Sequence, residues 1–363
     1  MAAEPVRSAD TRALGGPNLS EGAPSGGATD EVQRSIPDAS HEDPLDDRVA
    51  VAMVAFGESD ETIEKLLDQL DALKGQVATI YLVANNPERP LTSFAKRATV
   101  LHPERNIGYA GGANGAVRKA LEDGHRRILL LNLDVHLLGN DLIAKLTAPF
   151  QLYSDCGFVS PTIVYWPEQE TLWYRGGKLY LPAWLTRHPG MDQPVCNTGT
   201  AAKTDFFSGC CVLVDIPTFE ELGGYCEDLF MYYEEADLSY RAKSLGKYAY
   251  HVDLALIAHA KDGRRLDALE AYQHARNSRF LLLNHESGLA RYVGRTIQFA
   301  VAPLQLRRCR DTFAAVSYLR GLVGLPNTAL DRMIALRTKA PLVRGDNPDT
   351  AKAPDCRGGD SGN

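Results

Sequence analysis

Three carboxylates stand close together in the segment YYEEADLSYRAKSLG, at Glu234, Glu235 and Asp237. A carboxylate beside a bound substrate can accept a proton from a hydroxyl group, so one of the three is a candidate general base. The same spacing is typical of the first turn of a helix, where acids interact favourably with the helix dipole. The residue types alone allow either a catalytic or a purely structural role.

A second candidate is Asp134, which follows the apolar run RILLLNL together with Asn132. A carboxylate at the end of a buried strand is costly unless it is paired or binds a metal. Mg²⁺ and Mn²⁺ prefer oxygen ligands, commonly one or two carboxylates together with substrate phosphates. A turn cap or an ion-pair partner is the competing interpretation of Asp134. His259 ends another apolar run, LIAH, and is either a metal ligand or an ordinary core residue.

The stretch NIGYAGGANGA, from Asn106 to Ala116, contains four glycines and two asparagines. Its glycine spacing matches neither the dinucleotide fingerprint nor the phosphate loop, which requires a Gly-Lys-Ser/Thr ending. Glycines at this density predict a tight bend whose backbone comes close to another group. That group is either a bound ligand or simply a neighbouring part of the fold.

The elements that must position these residues alternate between strands and helices. Buried strands are predicted at 48–56, 77–86 and 127–137, with a short one at 98–104. A helix is predicted after Ser59, with an apolar stripe of Ile63, Leu66, Leu67 and Leu70 and a stop at Gly75. Another helix is predicted after the stretch Asn106–Ala116, which we call the glycine turn. Strands that are apolar on both faces favour a mostly parallel sheet covered by helices.

In open sheets of this kind, ligands bind at the carboxyl ends of the strands. The segments AFGE, ANN, the glycine turn and NLD all fall at such ends. Their convergence at one edge of the sheet predicts a nucleotide-type site there.

The chain divides by composition into four parts. Residues 1–47 are rich in Gly, Pro, Ser and acids, which predicts disorder. A globular domain is predicted over 48–286, with a helix from about Glu234 to Gly246 and a strand ending at His259. Residues 287–345 carry ten Arg and Lys against two Asp. Residues 346–363 are predicted to be a second disordered tail.

The basic 287–345 region has apolar residues at helical spacing, for example Phe313, Val316, Leu319, Leu322 and Val323. Two interpretations are open. The helices either pack back on the globular domain, or they form a basic amphipathic surface that rests on anionic lipid.

Overall composition limits the function further. The 363 residues carry a net charge of −7, which gives no reason to expect a nucleic-acid partner. The N-terminus lacks an apolar signal region, and no uncharged apolar run approaches about 18 residues, so neither secretion nor a membrane span is expected. Seven cysteines without a C-x-x-C pair suggest reduced thiols. We therefore expect a cytoplasmic protein that is either free or peripheral on the inner face of the membrane.

The order of the motifs resembles the nucleotide-sugar glycosyltransferases of family 2, and especially their rhamnosyltransferase-like branch. The glycine turn, the strand end LLNLD and the segment FSGCCVLVDIPTFEELGGYCEDLFMYYEEADLSYRAKSLG all have counterparts there, and His259 follows. The likeness covers about residues 48–265. It implies an α/β fold of the GT-A type, with a mostly parallel, Rossmann-like sheet flanked by helices and a C-terminal helical extension.

The resemblance also implies roles for individual residues. Asp134 and His259 would bind Mg²⁺ or Mn²⁺, and Glu235 would be the general base, which is commonly an Asp in relatives. Residues expected at the donor are Phe56, Asn85, Asn106, Gly108, Gly111, Gly112, Asn114 and Asn132, together with Asp134. Glu234, Asp237 and Arg241 would support the base, and Trp173 and Ser208 would lie toward the acceptor.

Two departures from the family pattern matter. Asn132 replaces the first acid of the D-x-D motif, so the metal would have fewer protein charges around it. Ala84 stands where relatives often carry an acid that contacts the nucleobase, so the nucleobase stays open.

The function that the resemblance implies is inverting, metal-dependent sugar transfer from a nucleoside diphosphate, with dTDP-rhamnose as the expected donor. The acceptor would be a saccharide or a lipid-linked saccharide in cell-surface polysaccharide synthesis, and an anionic membrane surface is a further expected partner. Two alternatives stay open, a nucleotidyltransferase and a non-catalytic sugar-nucleotide-binding or scaffold relative.

Overall fold

A computed structural model describes residues 34–35, 48–73, 75–260 and 265–328. Most of the two predicted tails and the last part of the 287–345 region lie outside these residues. The expected boundaries between the four parts of the chain therefore stay predictions.

One large mixed sheet forms the centre of the fold. The strand bounds are β1 Arg34–Ser35, β2 Val49–Ala55, β3 Val77–Ala84, β4 Thr99–Leu101, β5 Arg127–Leu131, β6 Val135–Leu137, β7 Cys156–Tyr165, β8 Leu172–Tyr174, β9 Lys178–Tyr180, β10 Leu185–Arg187, β11 Thr200–Thr204, β12 Cys211–Asp215 and β13 Tyr248–His259. The strands of the large sheet lie in the order β1-β11-β13-β7-β12-β5-β2-β3-β4, while β6 pairs with β13 and β8 pairs with β7. The strands β9 and β10 form a separate hairpin.

The sheet is parallel through β4, β3, β2 and β5, and again between β7 and β13. The strand β12 joins β5 to β7 in antiparallel fashion. The α-helices are α1 Asp60–Asp71, α2 Gly108–Glu122, α3 Leu142–Leu152, α4 Ile216–Glu221, α5 Glu234–Ala242, α6 Ala268–His285, α7 Gly288–Leu306 and α8 Thr312–Val323. The expected α/β class, with helices flanking the sheet and a C-terminal helical region, is confirmed.

The central strand β2 shows why the sheet is buried on both faces. Its alternating residues Val49, Val51 and Met53 pack with the leucines of α1. The residues between them, Ala50 and Ala52, face the alanines of α2. Since successive side chains of a strand point to opposite faces, one apolar run supplies two cores.

The helix predicted after Ser59 is present as α1. The Ser59 hydroxyl accepts a hydrogen bond from the backbone N–H of Thr62, and the predicted stripe of Ile63, Leu66, Leu67 and Leu70 is buried. An N-cap of this kind satisfies a helix N–H that would otherwise have no partner. The helix ends at Asp71, somewhat before the predicted stop at Gly75.

Two local predictions were wrong. Most of the glycine turn is itself helical, because α2 begins at Gly108. The strand predicted over 127–137 is interrupted at 132–134, where the chain leaves β5 and continues as β6 on the distant strand β13. This interruption displaces Asp134 from the regular strand.

The cysteines also differ from expectation at one position. Cys156, Cys196, Cys210, Cys211 and Cys309 are free thiols, whereas Cys226 is disulfide-bonded. The expectation of reduced thiols was therefore wrong for Cys226.

Gly108 gives a direct test of why the α2 start needs glycine. Its φ is +72°, and a methyl group built on it would collide with the carbonyl oxygen of Phe230. Positive φ costs a non-glycine residue about 1–2 kcal/mol, and overpacking costs roughly 1–3 kcal/mol more. We expect Gly108→Ala to lower the free energy of unfolding by about 2–4 kcal/mol in urea denaturation.

Gly115 is the matched control, because it lies in the same helix and a methyl group there meets nothing within 4 Å. Gly115→Ala should be neutral or stabilise the protein by up to about 1 kcal/mol. If Gly108→Ala and the wild type have equal urea midpoints, the close approach to Phe230 does not restrict position 108 to glycine.

Candidate active site

The carboxyl ends of β2, β3, β4 and β5 meet at one edge of the sheet, as the sequence predicted. Phe56 follows β2, Asn85 follows β3, Asn106 lies beyond β4, and Asn132 follows β5. The structure therefore brings the predicted strand-end residues to a common edge.

The backbone at the start of α2 is shaped by two asparagines. The Asn85 amide donates to Asn106 Oδ1 and to the carbonyl of Gly108, both at 3.0 Å. Asn85 Oδ1 accepts from the N–H of Ile107 at 3.0 Å, and Asn106 Oδ1 accepts from the N–H of Gly108 at 2.9 Å. Both side chains hold the turn, while their contact with a donor stays a prediction.

The next residues of the predicted donor set face the protein interior. Methyl groups built on Gly111 and Gly112 would lie 2.9 Å from the Ile107 side chain and 2.8 Å from that of Val54. Asn114 is buried, and its amide bonds the backbone N–H and C=O of Tyr225, each at 2.9 Å. In this structure Gly112 and Asn114 pack α2 against β2 and Tyr225, while Gly111 packs against the N-cap residue of its own helix, and the role of all three at a donor stays a prediction.

Asp134 and His259 lie together where β6 begins and β13 ends. His259 Nε2 is 3.3 Å from Asp134 Oδ1. The backbone connects them as well, because Ala260 N–H donates to the carbonyl of Asp134 at 2.9 Å. His259 is buried and its ring packs on Trp173 at 4.6 Å, whereas the Asp134 side chain is 40 % exposed.

This pair fits a divalent ion that is bound together with a substrate. An imidazole and a carboxylate suit a transition-metal or Mn²⁺ site. His259 Nδ1 is buried and has no hydrogen-bond partner among the described residues. No described neighbour therefore fixes this second ring nitrogen. No group of three or more His, Cys, Asp or Glu in the described ranges is arranged to hold a metal. The remaining ligands would have to come from phosphate oxygens and water.

The segment Ser208–Cys211 joins the strand end to the carboxylates of α5. Asn132 N–H donates to the carbonyl of Cys210, and the Tyr109 hydroxyl donates to the carbonyl of Gly209, both at 2.9 Å. A methyl group built on Gly209 would lie 3.8 Å from Glu234 Oε1. Glu234 therefore stands close to the segment that contacts Asn132.

Glu234 and Glu235 form an interacting carboxyl pair at the start of α5. Glu234 is buried, Glu235 is half-buried, and Oε2 of each has no hydrogen-bond partner within the described part of the chain. Burial raises the pKa of Glu235 to about 7. Burial, followed by repulsion from Glu235, raises the pKa of Glu234 well above its ordinary value. At neutral pH the pair therefore retains a proton.

Asp237 has a different environment although it lies only two residues further on. Arg241 Nε donates to its carboxylate at 2.8 Å, and His285 Nε2 lies 2.9 Å away. Burial alone would raise the pKa of Asp237, but these partners hold it below its ordinary value. Arg241 also donates to the carbonyls of Leu222 and Gly224. Asp237 and Arg241 thus fix the backbone around α5, and their support of a general base stays a prediction.

The backbone that delivers Glu234 and Glu235 is conformationally unusual. Phe230, Tyr232 and Tyr233 all have positive φ, at 65°, 67° and 73°. Such residues persist only where surrounding contacts impose the conformation. The carbonyl of Phe230 accepts from the N–H of Ala110 at 3.1 Å, so α2 holds one side of this segment.

Asn277 of α6 holds the other side, and sequence reasoning missed it. It is fully buried, and its Nδ2 donates to the carbonyls of Leu229, Met231 and Tyr232 at 2.9, 2.9 and 2.8 Å. Further polar contacts lie along the same face of α6, namely Glu270 to Tyr232, His274 on Tyr232 and Tyr233, and His285 to Asp237. The signal in the sequence was a polar stripe at helical spacing over 270, 274, 277 and 285.

The two residues expected at the acceptor differ in access. Ser208 is buried, and its hydroxyl accepts from the N–H of Cys210 at 3.3 Å. Trp173 is half-buried beside His259. A second tryptophan, Trp166, is 38 % exposed, stacks on His136 at 3.9 Å, and donates its backbone N–H to the carbonyl of His259. Contacts to an acceptor stay a prediction for Trp173 and Ser208.

Comparison with known proteins gives one related sequence and several similar folds. No family model matches the chain. The chain is 26 % identical over 205 residues to the low-salt glycan biosynthesis hexosyltransferase Agl10 of Haloferax volcanii. That match covers 55 % of this chain and 62 % of the relative, so it spans less than two thirds of the relative's length.

Among solved structures, the chain is similar to GalNAc-T7, crystallised with UDP, GalNAc and Mn²⁺. The TM-score is 0.54 at 14 % identity, over 85 % of this chain and 62 % of GalNAc-T7. A mannosyltransferase of Pyrobaculum calidifontis, in complex with GDP-Man and Mn²⁺, gives a TM-score of 0.45 at 14 % identity over 81 % of both chains. The similarity to GalNAc-T7 confirms the expected GT-A-type fold.

The role of Asn277 can be tested by hydrogen exchange. Asn277→Ala removes the donor shared by three carbonyls, and the loss of such bonds costs about 1–3 kcal/mol. We expect backbone amides over 229–237 to exchange about tenfold to a hundredfold faster, while those of β2 keep the wild-type rate.

Gln298→Ala is the matched control, since Gln298 is also a buried amide but donates to the carbonyl of Ala183 and to the Ser278 hydroxyl instead. It should accelerate exchange near 183–184 and leave 229–237 unchanged. If Asn277→Ala and Gln298→Ala give the same exchange map, Asn277 does not specifically stabilise this segment.

Proposed function

We propose that this protein is an inverting, metal-dependent glycosyltransferase that uses a nucleoside-diphosphate sugar. The observation that carries the proposal is the placement of two groups at one sheet edge. A carboxylate–imidazole pair suited to a phosphate-bound ion lies where β6 begins and β13 ends, and a carboxyl pair of raised pKa lies beside the segment that contacts Asn132. The GT-A-type fold and the similarity to a hexosyltransferase support the same reaction class.

Asp134 and His259 would hold the divalent ion, Mg²⁺ or Mn²⁺. Such an ion acts as a Lewis acid that neutralises the charge of a departing diphosphate. Asn132, in place of an acid, leaves Asp134 as the single carboxylate of this strand end. The turn held by Asn85 and Asn106 would lie along the donor, at the edge where strand ends bind ligands.

Glu235 would accept the proton of the acceptor hydroxyl. Burial raises its pKa to about 7, which brings it close to the value that is most effective for a base at neutral pH. The hydroxyl oxygen attacks the anomeric carbon from the face opposite the leaving group, and the bond to the diphosphate breaks. The sugar is transferred with inversion, and the proton remains on the Glu234–Glu235 pair.

The proposal extends to the nucleobase, the donor and the acceptor. We place the nucleobase near Ala84, which lines a cavity of about 400 Å³ with Asn86, Pro90 and His102 at the ends of β3 and β4. dTDP-rhamnose is the proposed donor through the family resemblance. A saccharide or lipid-linked saccharide of the cell surface is the proposed acceptor, and the glycan biosynthesis role named for the Haloferax relative supports a glycan product.

Glu235→Gln tests the base. The amide cannot accept the hydroxyl proton, so turnover should fall by at least about a hundredfold while nucleotide binding stays within about twofold. Transfer or donor hydrolysis, measured as release of nucleoside diphosphate, gives the rate. Asp228→Asn is the control, because it removes an exposed acid from the same segment.

The pH profile gives a second check on Glu235. The basic form of a group with a pKa of about 7 grows as the pH rises through that value, so the wild-type rate should decline below about pH 7. Near-normal turnover by Glu235→Gln, or a rate that is flat from pH 5 to pH 8, would remove Glu235 from this role.

Asp134→Ala tests the metal pair. Binding of dTDP, UDP, GDP and CMP is measured by calorimetry with and without Mn²⁺ or Mg²⁺. We expect one diphosphate to bind the wild type tightly in the presence of metal, and Asp134→Ala to weaken that binding at least about tenfold. Without metal the two proteins should bind alike.

The exposed Asp141 provides the control for charge, since it makes no side-chain cap to α3. Asp141→Ala should bind as the wild type does. Failure of all four nucleotides to bind the wild type would favour the non-catalytic scaffold, for which Ala84 and Asn132 would be signs of lost function.

A further inference from the structure

Helix α7 presents its apolar side to solvent. Its buried residues are Gly294, Gln298 and Ala302, which recur every fourth position and are small or polar. Its large apolar residues point outward, with exposed fractions of 77 % for Leu289, 72 % for Tyr292, 38 % for Val293, 49 % for Phe299 and 59 % for Leu304. A surface helix of a globular protein normally has the opposite arrangement.

Helix α8 continues this surface. Ala314, Tyr318 and Leu322 pack inward in a cluster that includes Ala275 of α6 and Ala302 of α7. Of the apolar residues that the sequence placed at helical spacing, only Leu322 is buried. The others remain 43–50 % exposed, namely Phe313, Val316, Leu319 and Val323. We call the exposed apolar residues of α7 and α8 the outer face.

The charged residues of α7, α8 and the turn between them are almost all positive. Between residues 288 and 325 there are six arginines and one aspartate, which gives a net charge of +5 in a chain whose total is −7. Three of the arginines donate to backbone carbonyls: Arg291 to those of Leu283 and Glu286, Arg295 to that of Leu322, and Arg320 to that of Pro326. Among the described residues none of the six is paired with a carboxylate. These arginines are Arg291, Arg295, Arg307, Arg308, Arg310 and Arg320.

We propose that α7 and α8 bind the surface of an anionic lipid bilayer. The outer face would enter the boundary between headgroups and acyl chains, and the arginines would contact lipid phosphates. Its aromatic residues, Tyr292, Phe299 and Phe313, are of the type that favours this boundary. None of the described helices is long and apolar enough to cross a bilayer, so the helices would lie along it. This inference is independent of the proposed sugar transfer.

A bilayer explains both features of the surface together. A second copy of the chain would bring the same six arginines against each other, which is unfavourable for like charges. A lipid surface offers phosphates to the arginines and an apolar layer to the outer face. The charge complementarity therefore selects anionic lipid over self-association.

The test is co-sedimentation of the full chain with vesicles, without nucleotide or metal. The wild type should bind vesicles of 70 % phosphatidylcholine and 30 % phosphatidylglycerol, and should bind pure phosphatidylcholine at least about tenfold more weakly. Binding to the anionic vesicles should fall as salt rises. Failure of the wild type to bind the anionic vesicles would overturn the proposal.

Two variants separate the apolar and the charged contributions. The double variant Leu289→Ser and Leu304→Ser should reduce partitioning at least about tenfold, because two exposed leucines no longer enter the bilayer. The control is Leu121→Ser on α2, where a leucine of 44 % exposure should have no effect. Arg307→Gln with Arg308→Gln should weaken binding to anionic vesicles about tenfold or more and leave binding to pure phosphatidylcholine unchanged.

All substituted side chains are at the surface, so the variants should keep the wild-type melting temperature. Sedimentation velocity tests whether a second copy of the chain covers the outer face instead of lipid. A wild-type dimer that Leu289→Ser with Leu304→Ser converts to a monomer would assign the outer face to a second copy and overturn the lipid proposal. Because no substrate is present, either outcome leaves the proposed reaction untouched.

Discussion

The left-handed backbone at 230–233 is the constraint on which the candidate site depends. Three residues with side chains hold positive φ there, at a cost of roughly 1–3 kcal/mol each. The conformation is imposed from two sides, by the contact of Gly108 and Ala110 with Phe230 and by the Asn277 amide with its three carbonyls. The glycine turn is therefore tied to the carboxyl pair, and its first glycine is needed by protein packing.

The three acids of α5 show how environment assigns different roles to similar groups. Glu234 and Glu235 are desolvated and lie beside each other, so protonation is favoured. Asp237 is fully buried, but Arg241 and His285 keep it ionised. Two titratable groups pushed in opposite directions within one helical turn are a frequent mark of an acid–base site. The same ion pair that stabilises Asp237 also fixes the orientation of the helix that carries Glu235.

The features that could be predicted from the sequence are those that local residue patterns determine. The apolar strands, the capped helix α1 and the meeting of strand ends all depend on periodicity and on neighbouring residues. The pairing of β6 with β13 could not be predicted, because its partners lie about 120 residues apart. The hydrogen bonds from Asn277 to three carbonyls were missed for the same reason, since these acceptors lie 45 to 48 residues away. The roles of Asn114 and Gly112 also depend on contacts with Tyr225 and Val54, which no local pattern indicates.

Helix α6 connects the candidate site to the C-terminal helices. Its period of 3.6 residues puts Glu270, His274 and Asn277 on one side and Tyr272 and Arg276 on the other. The first side holds the segment before Glu234. On the second side α8 packs so closely that a methyl group on Gly321 would lie 2.5 Å from the carbonyl oxygen of Tyr272.

Helix α6 thus contacts both the segment that precedes the carboxyl pair and helix α8 of the outer face. A surface that fixed α7 and α8 would also fix the direction in which Glu235 faces. If the proposed acceptor is carried by lipid, that geometry would hold the proposed base Glu235 and the acceptor hydroxyl in a constant relation. The polar stripe of α6 and the apolar outer face are therefore two parts of one arrangement, although each rests on its own contacts.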